Sequence, residues 1–129
     1  MSEKKSILKD KSFAFALKCI KLYQYLTDTK REFVMSKQLL RSGTSVGANI
    51  REAQNAESRT DFIHKLGIAQ KECDETMYWL ELLKASEYIS QSEFDIMNSE
   101  ANEIFKILRS SILTSKQKPK NSYLITHIS

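Results

Sequence analysis

The sequence predicts an all-α protein, an antiparallel up-down-up-down four-helix bundle. Three observations carry this. Apolar residues recur at four-three spacing through four long segments, and no stretch alternates with period two for long enough to be a strand. Three glycines and one proline in 129 residues leave little material for the tight turns that many short strands need. The joints between the periodic segments are short, and short joints favour antiparallel neighbours. The length suits one domain with one core.

Residues 1–11 are polar and lysine-rich and are expected to form a flexible basic arm. Ser12 is a plausible N-cap for a first helix over 12–29. Phe13, Leu17 and Ile20 form one apolar seam, and Phe15, Cys19, Leu22 and Leu26 form a second beside it. Two adjacent seams predict a helix buried on more than one side. A second helix is expected over 33–57, where Thr29 and Glu32 have capping-box spacing. Gly43 and Gly47 fall inside it, and each costs about 1 kcal/mol relative to alanine. Their i, i+4 spacing strips one face of side chains and lets another helix approach closely there, as in membrane helix pairs. A break in the helix at Ser42–Ser45 is the alternative.

The third helix, 58–88, has the clearest period: Phe62, Leu66, Ala69, Cys73, Thr76, Leu80 and Leu83. Ser58-x-x-Asp61 heads it as an acidic capping box. A fourth helix, 91–115, opens at Ser90-x-x-Glu93, with a seam of Phe94, Met97, Ala101, Ile104 and Leu108. Phe62, Leu66, Ala69, Cys73, Leu80, Phe94, Ile104 and Leu108 are the expected core. The bundle thus spans 12–115, and 116–129 reads as a flexible basic tail holding the only proline and a short apolar patch, Tyr123-Leu124-Ile125.

The net charge of +4 is unevenly spread. Residues 1–57 hold eleven Lys/Arg against six Asp/Glu; residues 58–115 hold six against ten; residues 116–129 hold three lysines and no acid. Lys4, Lys5, Lys9, Lys11, Lys116, Lys118 and Lys120 can gather at one end of the bundle, because helices 1 and 4 place both termini there. Such a cluster can hold a phosphate backbone without reading sequence. Solubility is the plainer role for lysine-rich ends.

Catalytic chemistry has little to work with. Neither of the two histidines, His64 and His127, sits in a nucleophile–base pattern. SGTSVGAN lacks the ending of a phosphate-binding loop. Asp61-x-x-His64 is a single approximation to the Glu-x-x-His motif that a di-metal bundle needs twice. No enzyme activity, metal or cofactor is expected. Cys19 and Cys73 lack metal or redox spacing and read as reduced, buried small hydrophobes. No segment has the makings of a membrane span or a signal peptide, so a cytoplasmic protein with no membrane partner is expected.

Glu72 and Glu75 interrupt an otherwise apolar row that runs from Ile68 to Trp79 and Leu82. Buried carboxylates need partners. If helices 2 and 3 fold back near residues 56–58, Arg41 reaches the level of 71–75 and forms a structural ion pair with Glu72 or Glu75. Ile68, Trp79 and Leu82 lie outside the main seam of helix 3 and are candidates for an oligomer interface.

Gln38, Arg41, Ser42, Ser45, Asn49-Ile50, Glu52, Ser58, Phe62, Leu66, Ile68-Ala69 and Glu75 carry a resemblance. Their order and spacing are similar to those of the bacterial four-helix bundle family encoded in intervening sequences of large-subunit ribosomal RNA genes. Ala53 departs from the glycine often found after the Glu of the Asn-Ile-x-Glu run. The resemblance implies a four-helix bundle, a homo-oligomer of pentameric, ring-like form, and a likeness to the nucleic-acid-binding accessory protein of diversity-generating retroelements. The expected function is a non-catalytic homo-oligomer that binds RNA or DNA weakly through basic residues. A protein-interaction scaffold with no nucleic-acid role is the alternative.

Overall fold

The structure is a computed structural model, and it describes residues 3–117, with side chains from Ile7 onward. Four helices make it up: α1 Glu3–Asp28, α2 Met35–Gln54, α3 Arg59–Ala85 and α4 Gln91–Gln117. Each helix packs on its neighbours in the chain, and α1 closes the square against α4. This is the up-down-up-down four-helix bundle, and the described residues contain no strand.

α1 begins at Glu3, ahead of the Ser12 start read from the sequence. Residues 3–11 are therefore the first turns of the helix rather than an arm. Nothing between Lys4 and Lys11 breaks a helix, and Leu8, only 2% exposed, anchors this stretch to the core. Ser12 is buried mid-helix, its hydroxyl donating to the Lys9 carbonyl at 3.2 Å. α4 runs to Gln117, so Lys116 is helical too.

The start of α2 is also made differently from the Thr29–Glu32 box. The Glu32 carboxylate accepts from the backbone N–H groups of Val34 and Met35, each at 3.1 Å, and of Ser36 at 2.7 Å. One side chain thus satisfies three of the orphan donors of a helix start. Burial pushes the Glu32 carboxyl up, but these N–H groups outweigh it and hold its pKa below the ordinary value. Ser58 caps α3, accepting from Asp61 N at 3.0 Å. Ser90 and Glu93 form a full reciprocal box at α4, at 3.1 and 2.9 Å. The α1–α2 and α3–α4 joints each place a non-glycine residue in the left-handed region, Arg31 at φ 57° and Glu87 at φ 66°.

α2 runs unbroken through Ser42–Ser45, where the Thr44 and Ser45 hydroxyls bond back to the Leu40 and Arg41 carbonyls at 2.7 and 2.6 Å. Gly43 and Gly47 both face α1. A Cβ on Gly43 would collide with the Cys19 sulfur and come within 3.1 Å of Cys19 Cβ. A Cβ on Gly47 would meet Ser12 at ordinary contact distances of 3.4–3.6 Å. The close approach of α1 and α2 is therefore tightest at Cys19–Gly43.

The core is built from Leu8, Phe15, Cys19 and Leu26 of α1, Leu39, Val46 and Ile50 of α2, Leu66, Ala69, Cys73, Leu80 and Leu83 of α3, and Met97, Ala101, Ile104 and Leu108 of α4. Phe62 and Phe94 sit at its edge, half-buried against it. Inside, Thr76 Oγ1 lies 2.9 Å from Ser42 Oγ, a hydroxyl pair that ties α3 to α2.

Candidate functional site

Three surfaces stand out: an ion cluster on the α2–α3 seam, apolar side chains left outside the core, and the basic residues near the chain ends. In the first, Arg41 on α2 reaches both carboxylates on α3. Its Nη1 lies 3.0 Å from Glu72 Oε2, and its Nη2 pairs with Glu75 Oε2. Gln38 Oε1 accepts from Arg41 Nε at 3.4 Å, and Trp79 Nε1 donates to Glu75 Oε2 at 3.0 Å. The row is not interior: the Arg41, Glu72 and Glu75 side chains are 49%, 20% and 35% exposed. Ile68, Glu72, Glu75, Trp79 and Leu82 form a flank of α3 beside its buried row, where long side chains reach solvent next to the α2 seam. The Trp79 indole N–H holds the Glu75 carboxyl below the usual carboxylate range; burial opposes this and Arg41 reinforces it. The cluster joins two helices and offers no nucleophile.

The second surface corrects an expectation about α1. The Phe15 row is the core row. Phe13, Leu17 and Ile20 point outward, with 59%, 48% and 36% exposure. The physical reason is the approach of the two glycines: docking Cys19 on Gly43 and Ser12 on Gly47 fixes the rotation of α1 and turns its other seam away. Phe13 and Leu17 of this stripe line one wall of a groove of about 770 Å³ between α1 and α2, whose other wall includes Thr44, Gly47 and Ala48, with Lys9, Asp10, Arg51 and Glu52 also lining it. On α3, Ile68, Trp79 and Leu82 are half-buried, and Tyr78, more than half exposed, stands edge-on to Trp79 with ring centroids 5.2 Å apart. Alternation of two apolar seams was visible in the sequence; which seam faced out was not.

Of the basic candidates, Lys9 and Lys116 are exposed. Lys11 is paired with Glu103 of α4 at 2.6 Å, so part of its charge is compensated. Lys18 is likewise paired with Glu100. The side chains of Lys4 and Lys5, and all of Lys118 and Lys120, lie outside the described residues. Lys106, Arg109 and Lys116 are exposed at near-helical spacing along one flank of α4, a pattern that i, i+3, i+10 counting could have found.

Among the described residues no cluster of His, Cys, Asp and Glu could hold a metal ion, and His64 is exposed. Cys19 and Cys73 are free and buried; burial pushes both thiols up to about 12. Among the same residues no helix is long and apolar enough to cross a membrane.

The family model described as 23S rRNA-intervening sequence protein matches residues 4–110. No curated protein matches the sequence. A crystal structure at 1.70 Å of a protein of unknown function from the S23 ribosomal protein family of Bacteroides thetaiotaomicron superposes with a TM-score of 0.84 at 55% identity, over 84% of this chain and 97% of that one.

Proposed function

Since the chain belongs to the 23S rRNA-intervening sequence protein family, we propose that it is a non-catalytic, cytoplasmic homo-oligomer that holds RNA or DNA weakly through its basic residues. The observation that carries the assembly is the outward stripe of Phe13, Leu17 and Ile20. An apolar row of this kind on a protein surface marks an interface. A second, separate patch supports a head-to-tail contact: Tyr78, Trp79, Leu82 and Ile68 on α3. α1 and α3 stand at diagonal corners of the bundle, so the stripe of one subunit can meet the α3 patch of the next. Contacts between two different patches close into rings when the rotation between subunits closes, and the pentamer implied by the family resemblance is such a ring.

Charge gathering follows from assembly. A ring repeats Lys9, Lys116 and the α4 row of Lys106 and Arg109 in every subunit, which turns a modest charge per chain into a strong local field. The alternative, a protein scaffold with no nucleic-acid role, draws support from the pairing of Lys11 with Glu103 and Lys18 with Glu100.

Two measurements test the reading. Light scattering at micromolar concentration should give a multiple of 14.9 kDa, and Leu17→Asp should lower it; a monomer in both cases overturns the assembly. Binding to generic RNA should weaken steeply as salt rises. Salt-independent or absent binding favours the scaffold.

A further inference from the structure

The α1–α2 groove has a candidate occupant within the chain itself. The family match ends at residue 110, and the Bacteroides structure is covered almost entirely by 84% of this chain. Residues 118–129, KPKNSYLITHIS, therefore add to the family core rather than build it. They carry two lysines followed by Tyr123, Leu124, Ile125 and Ile128. An apolar group of this size is out of place in a purely solubilising tail.

Reach and order both fit. α1 and α4 are antiparallel, with Lys11 beside Glu103 and Lys18 beside Glu100, so Gln117 ends α4 where α1 starts. From that end to Phe13 is about 15 Å along the α1 axis at helical rise, and crossing one helix adds about 10 Å. Eight extended residues, 118–125, span about 26 Å. The apolar group thus arrives beside Phe13, with Ile128 continuing toward Leu17. Entering from the start of α1, the chain meets a lining whose charges balance, Lys9 and Arg51 against Asp10 and Glu52, so apolar contact with Phe13 and Leu17 carries the docking.

We propose that residues 118–129 dock in the α1–α2 groove of their own chain, seating Tyr123, Leu124 and Ile125 on the Phe13–Leu17 stripe, and that they compete there with a neighbouring subunit. The competition rests on the assembly reading above; the docking does not. A tail that covers the stripe in the single chain sets the concentration at which subunits associate. The bundle is then held apart until a neighbour, or a ligand that draws off the lysine-bearing tail, displaces it.

A spin label reads the docking directly. Cys19 and Cys73 are buried, with thiols pushed up to about 12, so the thiolate that a labelling reagent needs is scarce at neutral pH. Asn121→Cys therefore gives one labelling position in the full chain. Amide signals of Ala16, Thr44 and Ala48 should lose intensity several-fold, and that of Ser99 on α4 should not. The loss should persist when labelled, isotope-enriched chain is diluted into excess unlabelled chain, and Leu17→Asp should abolish it. No selective loss overturns the docking; so does a loss that vanishes on dilution, which would place a second copy's tail in the groove. Light scattering reads the competition: the L124S/I125S double variant should associate at several-fold lower concentration than the parent chain. Equal association overturns the competition. If neither chain associates at any concentration, the assembly reading falls and the competition with it, while the label still decides the docking.

Discussion

The indole N–H of Trp79 and the guanidinium of Arg41 converge on one atom, Glu75 Oε2, with the indole nitrogen 3.0 Å away. A carboxylate that accepts from both an indole and a guanidinium is favoured in its charged form, and its pKa is lowered accordingly. The chain has one tryptophan, so its fluorescence reports the surroundings of this indole, Glu75 among them. On acidification Trp79 emission should change with a midpoint below the ordinary 4.5, and Glu75→Gln should remove the transition. A midpoint at or above 4.5 would contradict the geometry. Because the ion pair is half-exposed, Arg41→Ala should cost no more than about 1 kcal/mol of stability in chemical denaturation.

The two glycines of α2 should behave oppositely. At Gly43 a methyl group strikes Cys19, which is fully buried and cannot withdraw, so Gly43→Ala should destabilise by about 1–3 kcal/mol. At Gly47 the new methyl makes ordinary contact with Ser12, and the helical preference for alanine should leave Gly47→Ala neutral or up to about 1 kcal/mol more stable. Urea midpoints of both variants decide this, and equal losses would refute the asymmetric approach of α1 and α2.

Glu32 should make the start of α2 sensitive to acid. Its folded pKa is lowered, so its contribution is fully present above its ordinary value near 4.5 and fades as pH falls through the lower, folded value. Glu32→Ala should cost about 1–2 kcal/mol at neutral pH, as loss of a helix cap does. The difference between variant and parent should shrink as pH drops below about 4.5. A difference that stays constant down to pH 2–3 would show that the cap does not act through its charge.

Glu87 holds φ at 66°, a region that disfavours a side chain. Glu87→Gly should therefore raise stability by up to about 1 kcal/mol, the backbone relief exceeding the added freedom of the unfolded chain. A lower melting temperature for this variant would mean that the Glu87 side chain makes a compensating contact.

The bundle was legible because its evidence is local and repeated. The α3 row from Leu66 to Leu83 places its residues on one face by helical period alone, and five of that row's apolar members are buried. Ser58 and Ser90 could be read as caps because a cap needs only a residue and a neighbour three positions on. Arg41 could be placed near Glu72 and Glu75 because a short turn fixes which positions of two antiparallel helices lie level. The start of α1 was misplaced since Ser12 has the chemistry of a cap, while the burial of Leu8 in the core, a tertiary contact, ties the preceding turns to the bundle.

What the sequence by itself determined, then, is the number of helices, their order and most of what lies between them. Only the tertiary structure decided the rotation of each helix about its axis. α1 offers two apolar seams of similar strength, and its own sequence does not rank them. The ranking comes from α2, where Gly43 admits Cys19 and Gly47 admits Ser12, a fit between residues far apart in the chain. That fit buries Phe15 and leaves Phe13, Leu17 and Ile20 on the surface. The same limit explains why Glu72 and Glu75 proved half-exposed: a row's hydrophobicity is local, but its distance from solvent depends on how closely the neighbouring helix packs.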